Sequence, residues 1–305
     1  MLATRKKKGR SINGIVLLDK PAGMTSNRVL QRAKHLYQAA KAGHTGSLDP
    51  LATGMLPLCF GAATRVSSFL LAASKTYLVS GRFGIATETG DADGIVSDRR
   101  DGPVIDEPAL SSVLERFRGS ITQVPPMYSA LKRDGQPLYR LARKGIHVER
   151  EPREVTVHSL SLRSYRWPDF EFVTRCSKGT YVRTLVSDIA AALGTVGHVT
   201  ALRRLEIGPF TGLEMHTFES LEDAAKRGLD ALDKTLLPMD CALPDWPSLQ
   251  VSSEIKDWLQ HGRPVPANKS WALGSVRLYG PMNEFFGLGE VLADGQLVPR
   301  RMFPV

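Results

Sequence analysis

The apolar run from Ile15 to Leu18, stopped by Asp19 and Lys20, is too short for a helix. It predicts a buried strand that ends in the turn Lys20-Pro21-Ala22-Gly23. Thr25 or Ser26 then caps a helix in which Val29, Leu30, Ala33, Leu36, Tyr37 and Ala40 fall on one face. A mostly apolar segment, 55–73, follows. KTYLVSGRFG is strand-like, and TETGDADGIV predicts a Gly- and Asp-rich turn between strands. Residues 106–118 predict a second helix, with Leu110, Val113, Leu114 and Phe117 inward and Gly119 as its stop. Alternation returns in REVTVHSLSL and in FEFVTRC, where Phe170, Phe172, Thr174 and Cys176 share a face; Val182, Leu185, Val186, Ile189, Ala190 and Leu193 restore the helical period before Gly194. Strands and helices mix without a regular βαβ repeat, so the expected fold is α+β with a mixed, largely antiparallel sheet flanked by helices and loops.

Two regions stand apart from this pattern. Residues 125–153 carry Lys132, Arg133, Arg140, Arg143, Lys144, Arg150 and Arg153 against Asp134, Glu149 and Glu151, with Tyr128 and Tyr139 among them. Basic side chains with interleaved aromatics suit phosphate contact and base stacking, whereas a solvated helical hairpin is the plainer alternative. Near Pro244 the pattern shifts to short, Gly-punctuated strands with one helix around Ile255 to Leu259. This predicts a small β-rich barrel over 245–305, packed on the main domain.

The 305 residues carry a net charge of +9, which favours a polyanionic partner. Residues 1–10, with Arg5, Lys6, Lys7, Lys8 and Arg10, are expected to form a disordered basic arm. The three cysteines, Cys59, Cys176 and Cys241, are odd in number and widely spaced, which fits a reducing cytoplasm better than a disulfide framework. No run reaches the roughly 18 apolar residues that a membrane span needs, so no membrane association is expected.

The candidate chemistry centres on GHTGSLDPLATG, residues 43–54. Asp49 precedes Pro50, the pattern of an aspartate that caps a helical turn, and the same carboxylate is also the loop's one candidate reactive acid. His44 reads as a hydrogen-bonded structural imidazole rather than a catalyst. It has no neighbouring Cys or His at ligand spacing, so no metal is expected.

Seven stretches change the balance: LLDKPAGMTS, GHTGSLDPLATGMLPLCFGAAT, KTY, TGDADG, PPMYSALK, CSKGTYVRT and HVTALRRL. Together, and in this order from about residue 12 to residue 208, they resemble the bacterial tRNA pseudouridine-55 synthases, the TruB family. The resemblance implies a pseudouridine synthase domain over 11–240 that isomerises the T-loop uridine of tRNA by base flipping, without a cofactor. It implies that Asp49 is the catalytic aspartate, as nucleophile or base, and that Arg183 pairs with it. Tyr77 would stack beside the uracil and is a candidate acceptor of its C5 proton. It further implies that Leu202 packs in the pocket, that His44 helps hold the T-loop, and that Lys20 and Pro21 shape the floor of the site. Residues 125–153, with Lys132, Arg133, Arg140, Arg143 and Lys144, become an RNA-gripping insertion, and 245–305 a PUA-like RNA-binding domain. The expected partner is the T-arm stem-loop of tRNA, met by a monomer with no guide RNA. Two rivals stand beside this reading. One is a tRNA-binding protein that remodels its substrate without catalysis; the other is an RNA N-glycosidase, for which Asp91 and Asp93 would be the nearest second acids, although turn chemistry explains that pair as well.

Overall fold

Strand β1 (Gly14–Lys20) is a continuous apolar run because both its faces are covered. In the computed structural model, which describes residues 9–100 and 104–303, Val16 and Leu18 pack with Val29, Ala33 and Tyr37, while Ile15 and Leu17 pack on the opposite face with Met55 and Cys59. Helix α1 (Ser26–Leu36) begins where Thr25 accepts a hydrogen bond from the Arg28 amide. It ends short of the expected Ala40, because Gln38 adopts a left-handed φ of 51° that breaks the helical turn. Strands β2 (Ala42–His44) and β3 (Thr53–Phe60) follow, then a 3-10 turn at Gly61–Arg65 and helix α2 (Ser67–Ala72). The apolar segment 55–73 is thus a strand and two short helical pieces.

Strand β4 (Lys75–Phe83) buries every second residue, as its alternation predicts. The hairpin of β5 (Ile85–Thr87) and β6 (Val96–Arg99) carries TGDADG at its tip. Asp106 caps α3 (Glu107–Arg116), and Gly119 opens β7 (Gly119–Gln123). The basic region is a small hairpin, β8 (Lys132–Arg133) with β9 (Gln136–Pro137), leading into the short helix α4 (Leu138–Ala142); a helical hairpin is not what forms. Strands β10 (Arg153–Arg166) and β11 (Asp169–Cys176), helix α5 (Val182–Ala192) and strand β12 (Gly197–Ile207) complete the sheet region.

The sheet runs β1-β3-β12-β4-β11-β10-β7, with β2 on β3. Its pairings are antiparallel except for β12 on β3, so it is mixed and largely antiparallel. Tyr77, Val79, Phe170, Phe172 and Leu202 cover one face together with Leu114 of α3 and Leu185 and Ile189 of α5. Helices α6 (Phe218–Lys226) and α7 (Leu229–Asp233) return to β1, where Phe218, Leu221 and Leu232 join its first cluster.

The expected basic arm lies outside the described residues over 1–8. Its last member, Arg10, departs from the expectation: its backbone bridges to Ala39 and its guanidinium pairs with Asp233 at 2.5 Å. A partly exposed ion pair and a backbone bridge fix what charge alone assigned to a free arm.

The tail comprises β13 (Ser248–Gln250), α8 (Ser253–Gln260), β14 (Val265–Pro266), β15 (Gly274–Tyr279), β16 (Phe285–Val291) and β17 (Gln296–Met302). Its five strands form a separate sheet around Leu249, Leu259, Val276, Phe286 and Leu297. Leu288 and Phe303 reach out of that unit into the cluster of Ile15, Cys59, Val66 and Leu70. No helix among the described residues is long and apolar enough to cross a membrane.

Candidate active site

The loop between β2 and β3 is anchored by Leu48 and Ala52, which are buried in the main core cluster with Leu51 packed against it, and polar groups fix the rest of its backbone. The Ser26 hydroxyl accepts from the Leu48 amide at 2.8 Å and donates to the Leu48 carbonyl at 3.1 Å. Lys20 is fully buried, and its ammonium donates to the carbonyls of Pro21, Pro50 and Ala52 at 2.9, 3.2 and 2.6 Å. Arg204, almost fully buried, donates to the Met55 and Gly46 carbonyls at 2.7 and 3.1 Å. Gly54 pairs with Arg204 where β3 meets β12, at a φ of +95°, and a Cβ there would lie 2.2 Å from the Arg204 carbonyl oxygen. Only glycine fits that approach.

No helix begins at Pro50. The Asp49 carbonyl accepts from the Ala52 amide in a simple turn, and the side chain is therefore not a helix cap. Its carboxylate instead meets Arg183 in the first turn of α5, with Nε at 2.9 Å from Oδ2. Asp49 keeps 39% of its side-chain exposure and Arg183 only 7%. The acid is open to a ligand, while the guanidinium behind it is not.

Arg183 uses its other nitrogens on three further partners. Nη1 donates to the Thr89 carbonyl at 2.5 Å and lies 3.6 Å from Oδ2 of Asp91, and Nη2 donates to the Tyr128 carbonyl at 2.8 Å. Asp91 is buried and is itself held by the Thr89 hydroxyl at 2.5 Å and the Asp93 amide at 3.2 Å. One guanidinium thus ties together the Asp49 loop, the TGDADG hairpin and the segment that enters the basic insertion. A planar fork of five donors suits this role, and a lysine would not.

Burial pushes the Asp49 carboxyl above its ordinary value of 3.8. Arg183 pulls it back down, Asp91 pushes it further up, and Lys20 lowers it. Burial lowers Lys20 itself to about 8, with Asp49 opposing and Arg204 reinforcing that shift. The Tyr77 phenol is pushed up by burial against the partial offset of the Arg204 charge, so it is neutral near pH 7 and disfavoured as a phenolate base. Burial and Arg204 lower His44, which keeps its imidazole neutral; its Nδ1 is buried without a hydrogen-bond partner.

A cleft of about 270 Å³ brings Asp49, Tyr77, Arg183 and Leu202 together with Leu48, Ser129 and Tyr181. Neither Lys20 nor Pro21 lines it; Lys20 reaches it only through its hydrogen bonds to the Pro50 and Ala52 carbonyls of the Asp49 loop. His44 sits on β2 beside Arg204 rather than on the cleft lining. Lys132, Arg133, Arg140, Arg143 and Lys144 are exposed on the basic insertion, where Arg143 lies 5.8 Å over the Tyr139 ring. A larger cleft, about 400 Å³, lies beside α8, but its Lys256 and Glu284 pair with each other at 2.6 Å. Among the described residues no group of three or more His, Cys, Asp or Glu is placed to hold a metal. Sequence reasoning missed Ser26 and Arg204 as supports, and it weighed Asp91 as a second acid or as turn chemistry but not as a partner of Arg183. Their patterns carried no distinguishing signal, because a cap serine, a strand arginine and a turn aspartate have ordinary local roles.

This sheet, with one open acid backed by a buried arginine at its centre, is that of the pseudouridine synthases. The solved Cbf5 chain of a Cbf5-Nop10-Gar1 complex superposes with a TM-score of 0.72 at 26% identity, covering 96% of this chain and 84% of that one. The TruB family pseudouridylate synthase N-terminal domain matches residues 34–182, the tRNA pseudouridylate synthase B C-terminal domain matches 183–244, and the pseudouridine synthase II TruB C-terminal domain matches 247–303. The chain belongs to the TruB family of pseudouridine synthases. It is 51% identical to tRNA pseudouridine synthase B of Pseudomonas aeruginosa over 99% of both chains, and 47% identical to that of Coxiella burnetii over 96% of this chain and 95% of that one.

Proposed function

We propose that the protein converts the T-loop uridine at position 55 of tRNA to pseudouridine, with Asp49 as the reacting acid. The observation that carries this reading is the open Asp49 carboxylate held at 2.9 Å by buried Arg183 in a cleft walled by Tyr77 and Leu202. In the isomerisation the C1′–N1 bond breaks, the detached uracil turns, C5 bonds to C1′, and the C5 proton is lost while N1 gains one. No water is consumed. A glycoside hydrolase uses two carboxylates, one to protonate the leaving group and one to attack or activate water; here a single ionised acid suffices, because the base is retained.

Asp49 begins the reaction either by attacking C1′ or by removing the 2′ proton. Both routes need the carboxylate, which Arg183 favours against burial. Tyr77 serves as a stacking wall; as a neutral phenol it is a poor acceptor for the C5 proton.

The target base must leave the RNA stack to reach Asp49, at a cost of a few kcal/mol. Exposed Lys132, Arg133, Arg140, Arg143 and Lys144 offset part of that cost through phosphate contacts that weaken with salt. A chain with its own gripping insertion meets the T-arm as a monomer in the cytoplasm, without guide RNA, and reads the folded loop by shape. The tail, as a PUA-like unit, adds a supporting RNA contact.

The test is to incubate the protein and Asp49→Asn with unmodified tRNA, without metal or cofactor, and to map pseudouridine while assaying free uracil. Pseudouridine at position 55 from the native protein alone, with no uracil released, is the expected result. Modification elsewhere only would refute the site; activity in the Asn variant would refute the role of Asp49; released uracil would mean a glycosidase.

A further inference from the structure

Ser129 lines the cleft beside Asp49 and Arg183, is 5% exposed, and has a buried hydroxyl with no hydrogen-bond partner. A buried polar group left unpaired is costly, and such groups in folded proteins are rare enough that each calls for a reason. Its surroundings are not loose. The Ser129 amide donates to the Met127 carbonyl at 2.9 Å, its carbonyl accepts from the Tyr139 amide at 3.1 Å, and the preceding Tyr128 carbonyl is held by Arg183 at 2.8 Å. The backbone is therefore fixed on both sides while the hydroxyl is left unpaired. The Tyr181 phenol is its polar neighbour: the Ser129 hydroxyl lies close enough to pull the Tyr181 phenol down against the upward push of burial, yet the two make no hydrogen bond of full geometry.

We propose that the Ser129 hydroxyl donates a hydrogen bond to a carbonyl oxygen of the flipped uracil and stabilises the base as it becomes an anion. This rests on the reading of the cleft given above. When the C1′–N1 bond breaks, its electron pair stays on the base and spreads onto the ring carbonyl oxygens. A fixed donor aimed at one of them binds the detached base more strongly than the intact nucleoside, which is the condition for acceleration rather than mere binding. The bulk of tRNA affinity comes from phosphate contacts elsewhere, so loss of this donor should fall on the rate.

The experiment compares native protein, Ser129→Ala and Asp49→Asn in single-turnover conversion of a tRNA transcript, alongside tRNA affinity by filter binding and thermal melting. Ser129→Ala is expected to slow conversion about 10- to 100-fold, the worth of a hydrogen bond to a charged acceptor. Its tRNA affinity should stay within about twofold, and it should melt no lower than the native protein, since no internal hydrogen bond is lost. Transcripts carrying 2-thiouridine or 4-thiouridine at the target add an atom-level readout. One of the two should slow the native protein, because sulfur accepts poorly, and should slow Ser129→Ala no further. Native rates in Ser129→Ala, a loss confined to affinity, a clearly lower melting temperature, or thio effects that persist in full in the variant would each overturn the proposal. Asp49→Asn separates the two readings: if it stays active the cleft itself is misassigned, whereas an inactive Asp49→Asn beside a fully active Ser129→Ala removes Ser129 alone.

Discussion

Asp91 never faces the open cleft, yet its charge reaches the acid that does. It lies 3.6 Å from the guanidinium that holds Asp49, and it pushes the Asp49 carboxyl upward. On the proposed mechanism, which uses Asp49 as a carboxylate, activity should fall on the acid side, at a pH above the ordinary carboxylate value of 3.8. Replacing Asp91 by Asn removes a like charge, so the Asp49 carboxyl titrates lower and the acid limb of the rate profile moves to lower pH. The plateau should drop as well, since Arg183 loses one of its anchors. Single-turnover rates from pH 4 to 8 measure both effects; an acid limb that moves up would contradict the assigned electrostatics. At this scale the sequence was uneven evidence. Asp49, Tyr77, Arg183 and Leu202 stand in stretches whose order and wording resemble one family, and they meet in one cleft. Asp91 was hidden because a Gly- and Asp-rich tip looks the same whether or not its carboxylate faces a buried arginine. Only the bridge of Asp91 to Val199, which docks the hairpin on β12, turns it inward.

At the scale of elements, the Asp49 loop is set by where two strands meet. β12 runs parallel to β3 through only Arg203↔Thr53 and Arg204↔Gly54, and the same Arg204 then reaches back to the carbonyls of Met55 and Gly46. Gly54→Ala forces a left-handed φ on a residue with a Cβ and drives that Cβ against a backbone oxygen. We expect a loss of at least about 2 kcal/mol, read by urea unfolding, with a larger fall in activity than in fraction folded, because the displaced backbone carries the Asp49 loop with it. The long alternating strands and the periodic helices were legible because one face of each is buried by the same sheet, as with Phe170, Phe172, Thr174 and Cys176 on β11. The end of α1 and the form of the basic insertion were not. The first depends on one backbone dihedral at Gln38, and the second on a two-residue pairing of Lys132 with Pro137 and Arg133 with Gln136, too short for periodicity to register.

For the whole molecule, the composition shift near Pro244 marks a real change of architecture but not a break in the core. Phe303 and Leu288 of the tail are buried in the cluster that covers β1 and β3, Phe285 packs 5.2 Å from Phe303, and Trp246 meets Phe69 edge to face at 5.1 Å. The face of β1 opposite α1 is therefore completed by residues almost three hundred positions away, which is why local pattern could delimit the tail but not say that it seals the catalytic sheet. Such a seam couples the two units energetically. Truncating Phe303 to Ala leaves a cavity lined by both, and large-to-small changes of this kind cost about 3–5 kcal/mol. If the units unfold together, calorimetry of Phe303→Ala will show one transition at a lower temperature. If the tail were an independent bead, its own transition would split away while the melting of the catalytic sheet stayed in place. The seam also predicts that Phe303→Ala, far from the cleft, impairs catalysis only at temperatures where folding is already failing, because Val16 and Leu18 keep the other face of β1 packed.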